Sequence, residues 1–145
     1  LERAFKLTPG KIKETSMLLP HLYSDAMGHS LLDEADLRMT APGGVDVEEG
    51  AYYRRINSAR QDVTDWRIGH ALPGHFIDFS PASAPTMIAV FSGQMHITVS
   101  NGEERQLARG DMMLAEDIVG QGHMTRFIGQ EACNYLLVTM PGGFK

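Results

Sequence analysis

The chain has 145 residues, 43% of them hydrophobic and 21% charged, which is enough apolar material for one packed domain and too little length for two ordinary ones. Thirteen Lys and Arg against 18 Asp and Glu leave a formal charge of -5, and no basic cluster exceeds Arg54-Arg55, so no nucleic-acid partner is expected. No run approaches the roughly 18 to 20 apolar residues of a membrane span, which excludes a membrane partner of that kind.

The single Cys133 offers neither an internal disulfide nor a Cys-based zinc site, which suits a reducing, cytoplasmic location. The chain opens on Leu1 rather than Met, leaving room for residues ahead of it.

Residues 1–50 read as an N-terminal arm with edge strands, part of the same domain as a barrel over 51–145. Within the arm, residues 12–19 predict a short helix that Pro20 ends. The acids across 31–37 argue against a buried strand, and Ala41-Pro-Gly-Gly44 reads as a loop. From about Tyr52 the period becomes two. Trp66, Ile68, His70 and Leu72 alternate with Arg67, Gly69 and Ala71 before a turn at Pro73-Gly74. Residues 87–91 are apolar at both parities, as in a strand covered on both faces. Met95, Ile97 and Val99 alternate with His96 and Thr98, and the run ends in the hairpin signal Asn101-Gly102. A turn at Arg109-Gly110-Asp111 opens a strand over 112–115, and 135–140 supplies the last one. Short strands at about 8 to 12-residue spacing, with no helix period, predict an all-β sandwich or barrel.

Residues 74–127 resemble the cupins. Gly74, Ser80, Ala82, Thr86 and Gly93 stand at the spacing of the first cupin motif, G-x5-H-x-H-x3-E-x6-G, with its glycines kept and its ligands replaced. The second motif starts at Gly110; strict spacing puts Glu116, Ile118 and Gln121 at its Pro, Gly and His positions, with His123 two residues on. The segment 115–123 is similar to the A-E-D-x-x-G-x-G-H turn of a group of small single-domain cupins. This resemblance implies an all-β cupin jelly roll. Cupins that hold Fe, Mn, Ni or Zn use His and Glu donors. Ser80, Ala82 and Thr86 are no substitute, so no metal and no other cofactor is expected. The alternative is an atypical metal site gathered from His70, His75 and His123.

The resemblance also implies that Ser80, Ala82 and Thr86 point into the barrel, and strand parity then adds Phe76, Asp78, Ile88 and Val90. An inward Asp78 is an acid-base candidate; its other reading is a solvated carboxylate near a strand end. His123, sharing parity with Thr125 and Phe127, takes the place of the fourth ligand after a two-residue insertion. It is the first choice for general acid or base, against a structural role bonding the Glu116-Asp117 turn. His70 is either a third catalytic candidate or a core residue. His75 and His96 are expected outside, and His21 and His29 carry no assigned role.

Ser80, Thr86 and Gln121 are the expected polar contacts to a small-molecule ligand, with Trp66, Phe76, Ile88 and Met95 as its apolar wall. The main expectation is a metal-independent enzyme of acid-base chemistry: an isomerase, cyclase, dehydratase or other lyase. Its substrate is expected to be neutral or aromatic, polyketide-like or terpenoid. The alternatives are a non-catalytic small-molecule-binding cupin and a metal-dependent oxygenase or lyase. Met87, Ala89 and Phe91 face away from the pocket in this scheme, and covering them predicts a homodimer.

Overall fold

The computed structural model describes residues 14–40 and 56–145, with side chains from Ser16 onward. The loop expected at 41–44 and the change of period at Tyr52 lie outside the described residues. The described residues contain no helix. Their strands are β1 (Glu14–Ser24), β2 (Ser30–Thr40), β3 (Asn57–Ser58), β4 (Asp65–Ala71), β5 (Phe76–Ser80) and β6 (Thr86–Ser92). Then follow β7 (Gln94–Thr98), β8 (Glu104–Ala108), β9 (Met112–Glu116), β10 (His123–Ile128) and β11 (Cys133–Thr139).

The larger sheet runs β3-β2-β1-β9-β6-β11-β4 and the smaller β5-β10-β7-β8. With β4 to β11 counted as first to eighth, the larger sheet contains first-eighth-third-sixth and the smaller second-seventh-fourth-fifth. That interleaving is the jelly roll, two Greek keys folded into facing sheets, as expected of a cupin. The sheets do not close: β4 ends one and β5 the other, with no ladder between them. The β1–β2 hairpin extends the larger sheet, β1 lying parallel to β9 over His21 to Tyr23.

The predicted helix over 12–19 is a correction. From Ser16 to Leu19 burial alternates with a period of two, Met17 and Leu19 buried and Ser16 and Leu18 exposed, so residues 14–24 pack as a strand. Pro20 fits there because pairing with β9 begins only at His21, leaving one edge of the strand without a partner. The acids of β2, Asp33, Glu34 and Asp36, are exposed, which is how a strand that rich in carboxylates is accommodated near a sheet edge.

The main core lies between the sheets, where Val90, Met95, Ile97, Met113 and Phe127 are buried together. Met95, Ile97 and Val99 thus face inward as their alternation requires. A second apolar cluster, Met17, Leu19, Leu114 and Met140 with Phe144 against it, sits on the other face of the larger sheet. β6 is therefore only partly covered on both sides: Ile88 and Val90 are buried, but outward Phe91 is half exposed. The turns carry the expected glycines, Gly102 between β7 and β8 and Gly110 between β8 and β9, both at positive φ. No helix among the described residues is long and apolar enough to cross a membrane.

Candidate functional site

A cavity of about 220 Å³ opens between the sheets beside the unpaired edges of β4 and β5. Ser80, Ala82 and Thr86, the three replaced ligand positions, line it together with His123. Thr125 comes from the same strand as His123, and Ile88, Leu137 and Thr139 from the larger sheet. The four positions that the cupin motifs bring together thus share one cavity. The donor set does not fit a metal, since a single imidazole is joined only by two neutral hydroxyls and a methyl group, with no second imidazole and no carboxylate in the lining. His70 and His75 line a different depression near the β4–β5 turn, away from the lining that contains His123. Among the described residues no three His, Cys, Asp or Glu side chains gather as a metal site.

Two local parities differ from expectation. In β4 the face of Trp66, Ile68, His70 and Leu72 is turned outward, and all four are exposed, while Arg67 lines the cavity and Ala71 is buried. The more apolar set lies on the outside because it continues the outward apolar surface of β11 and β6, where Ile68 stands opposite Leu136 and Leu136 opposite Ala89. Trp66 therefore forms no wall of the cavity. His70 instead reaches Asn134, whose Oδ1 lies 2.6 Å from Nδ1, and Asn134 in turn donates to Ser92 Oγ.

In β5 the register with β10 slips: His123 pairs with Ser80 but Thr125 with Ile77, so Asp78 and Phe79 together oppose Met124. This bulge reverses the parity extrapolated back from Ser80. Ile77 takes the inward place, Phe76 is 57% exposed beside the outward Arg126, and exposed Asp78 accepts from the Phe79 amide. Val90 and Met95 are core residues behind the cavity rather than part of its lining. Gln121 is exposed outside it, its amide donating to Gly28 O.

The turn between β9 and β10 builds the polar heart of the site. Gly120 and Gly122 both adopt positive φ; a Cβ on Gly120 would overlap Gly28, and one on Gly122 would overlap the Ser80–Pro81 peptide. The loop is thereby pressed between the β1–β2 turn and the end of β5, and Ala82 N donates to Asp117 O. Asp117, 0% exposed, receives two hydrogen bonds on Oδ2: from Ser30 Oγ at 2.8 Å and from His123 Nδ1 at 2.6 Å. Its Oδ1 is buried with no partner among the described residues.

His123 is 13% exposed, and with Nδ1 fixed by Asp117 it keeps Nε2 without a hydrogen-bond partner among the described residues. A carboxylate on Nδ1 sets the tautomer and leaves the other nitrogen available as a base. From sequence, the Glu116-Asp117 turn was named only as the partner of a structural His123, and the 2.6 Å contact is the one that alternative expects; Ser30 was not singled out. The signal for Asp117 was present in the acid that precedes the Gly-x-Gly turn and the returning His123.

The other histidines are committed elsewhere. His21 bridges Asp33 Oδ1 at 2.6 Å and Glu116 Oε1 at 2.9 Å. His29 caps the β1–β2 turn against Asp25. His96 lies on the outer face of the smaller sheet with Glu104 and Arg126, and His75 stacks on Phe127. Burial pushes the Cys133 thiol up, which disfavours the thiolate a nucleophile needs. Burial also raises the Tyr135 hydroxyl, with Cys133 adding to the effect and nearby Arg67 opposing it.

No protein-family model matches the chain, and no curated protein matches it. Among solved structures it is similar to a conserved protein of unknown function from Streptococcus pyogenes, with 24% identity over 58% of this chain and 68% of that one, TM-score 0.44. A protein from Neisseria meningitidis is similar at 12% identity over 56% and 82%, TM-score 0.40. A Schizosaccharomyces pombe cupin domain is similar at 11% identity over 86% and 83%, TM-score 0.41. These are distant likenesses, and what the cavity does follows from its own residues.

Proposed function

We propose that the cavity binds a small molecule and that His123 moves a proton on it, without a metal, as an isomerase, cyclase, dehydratase or other lyase does. The observation that carries this is the asymmetry of His123: one nitrogen is held by a buried carboxylate and the other is unpartnered in a residue that lines the cavity. Nε2 takes a proton from the bound molecule and returns it at a second atom, while Asp117 steadies the imidazolium formed in between. Ser80, Thr86 and Thr125 supply hydroxyls to the ligand's oxygens, and Ile88 and Leu137 an apolar floor.

The test is solvent exchange. Small enolisable ketones, aldehydes and oxo acids are incubated with the protein in deuterium oxide and followed by proton NMR. The wild type should label at least one compound, and His123→Ala should slow labelling by about 100-fold or more. Binding without labelling by the wild type overturns the enzyme in favour of a non-catalytic binding module.

We further propose that a second copy of the chain covers the outer face of the larger sheet. Trp66, Ile68 and Phe91 are 67%, 53% and 50% exposed there, on strands separated only by β11. Exposed apolar side chains on one sheet face mark a surface that association can cover, and an uncharged sheet face is readily self-complementary about a two-fold axis. Sedimentation equilibrium should show a dimer that Trp66→Glu dissociates; a monomeric wild type overturns it.

A further inference from the structure

The cavity has a charge pattern that the proposed acid-base reading does not use. Its lining contains one guanidinium, Arg67, one imidazole, His123, and the hydroxyls of Ser80, Ser83, Thr86, Thr125 and Thr139, but no carboxylate. Arg67 reaches it from β4, opposite Leu137 of β11, and so stands on the larger sheet, whereas His123 stands on the smaller. Arg67 makes no ion pair or hydrogen bond among the described residues. The nearest acid in sequence on its face, Asp65, is engaged by the hydroxyls of Thr139 and Thr64. Asp117 is sealed behind His123 and already accepts from Ser30 and the imidazole.

An arginine that lines a cavity and makes no ion pair among the described residues is free to bind an anion there, and its planar fork matches a carboxylate in two parallel hydrogen bonds. The volume lies below the range of about 300 to 1,000 Å³ typical of drug-sized ligands, which favours a small molecule.

We infer that the ligand is a small carboxylic acid, its carboxylate held by Arg67 at the β4 side and its reacting carbon presented to His123 across the cavity. This rests on the acid-base reading for the role of His123, and it replaces the neutral ligand expected from sequence, because Arg67, although exposed at the cavity's lip, contributes to its lining. Arg67 is a binding residue here: it fixes which end of the molecule faces Nε2.

Matched probes separate the anion from the chemistry. Benzoate with benzamide, and 2-oxobutyrate with 2-oxobutanamide, are titrated while amide shifts of Thr86, Thr125 and His123 are recorded. The carboxylates should bind and the amides bind at least about tenfold more weakly. Arg67→Gln should remove that preference, and Arg67→Lys should restore part of it. Unchanged melting of both variants shows that the fold is kept. These titrations read binding alone and the deuterium labelling reads proton transfer alone, so a failure of the proton-transfer reading is visible separately. Carboxylates that bind no better than amides, including no binding by either, overturn the inference, as does an Arg67→Gln protein that retains the preference.

Discussion

Two neighbouring residues, Glu116 and Asp117, hold two different histidines. Glu116 Oε1 meets His21, whose other nitrogen meets Asp33, so both ring nitrogens are committed. Asp117 meets His123 at one nitrogen only and leaves the other unpartnered beside the cavity. The first is a three-strand clasp joining β1, β2 and β9; the second carries the base of the proposed reaction. A nearby carboxylate therefore does not by itself distinguish one histidine from the other; the nitrogen left over does.

The largest test of this contrast is Asp117→Ala. It strands His123 and Ser30 around an empty buried site, and losing the charged acceptor of two hydrogen bonds costs about 3 kcal/mol. Urea denaturation should show the loss; a change under about 1 kcal/mol would mean that the pair is not buried as described.

Gly122→Ala comes next, combining a left-handed backbone position with overlap on Ser80, at about 2 kcal/mol. Since that overlap pushes β5 away from the loop carrying His123, ligand binding should weaken along with the melting temperature. His21→Gln should cost less, about 1 kcal/mol, because its clasp is partly solvated. It should leave deuterium labelling intact, and a labelling loss equal to that of His123→Ala would collapse the distinction between the two histidines.

The smallest effect concerns pH. Asp25, in the turn that packs on Gly120, is held below the ordinary carboxylate range, chiefly by the His29 amide, with burial opposing it and the His29 ring and the Met27 amide assisting. A depressed acid stabilises the fold above its unfolded value and loses that contribution as pH falls through the folded one. The stability gap between wild type and Asp25→Asn should therefore shrink on acidification; a gap that widens is the wrong sign.

The jelly roll was legible because turn glycines and alternating apolar residues are local signals: Gly102 and Gly110 mark hairpins, and Met95, Ile97 and Val99 mark an inward face. So was the parity of His123, Thr125 and Phe127, all three facing the space between the sheets. Three things were not. Pro20 read as the end of a helix, although a strand tolerates it where one edge is unpaired. In β4 the apolar parity faces outward, so the usual inference from hydrophobic to inward inverted the strand and hid Arg67. The β5 bulge is set by pairing with a strand more than forty residues away in sequence, and no local pattern announces it. The inward reading of Asp78 failed for that reason, while its other reading, a solvated carboxylate near a strand end, matches its exposure; Ser30 went unnoticed because it stands 87 residues from Asp117 and meets it only in three dimensions.

The missing ladder between β4 and β5 has a kinetic meaning. Arg67 stands on one lip of that seam and Ile77 on the other, with the 72–75 turn tied to Phe127 by two backbone hydrogen bonds at its end. A molecule entering there separates no strand from its neighbour. Ligand exchange can thus run on the timescale of side-chain and loop motion, uncoupled from global unfolding, so variants that loosen the barrel as a whole need not alter how quickly the cavity fills.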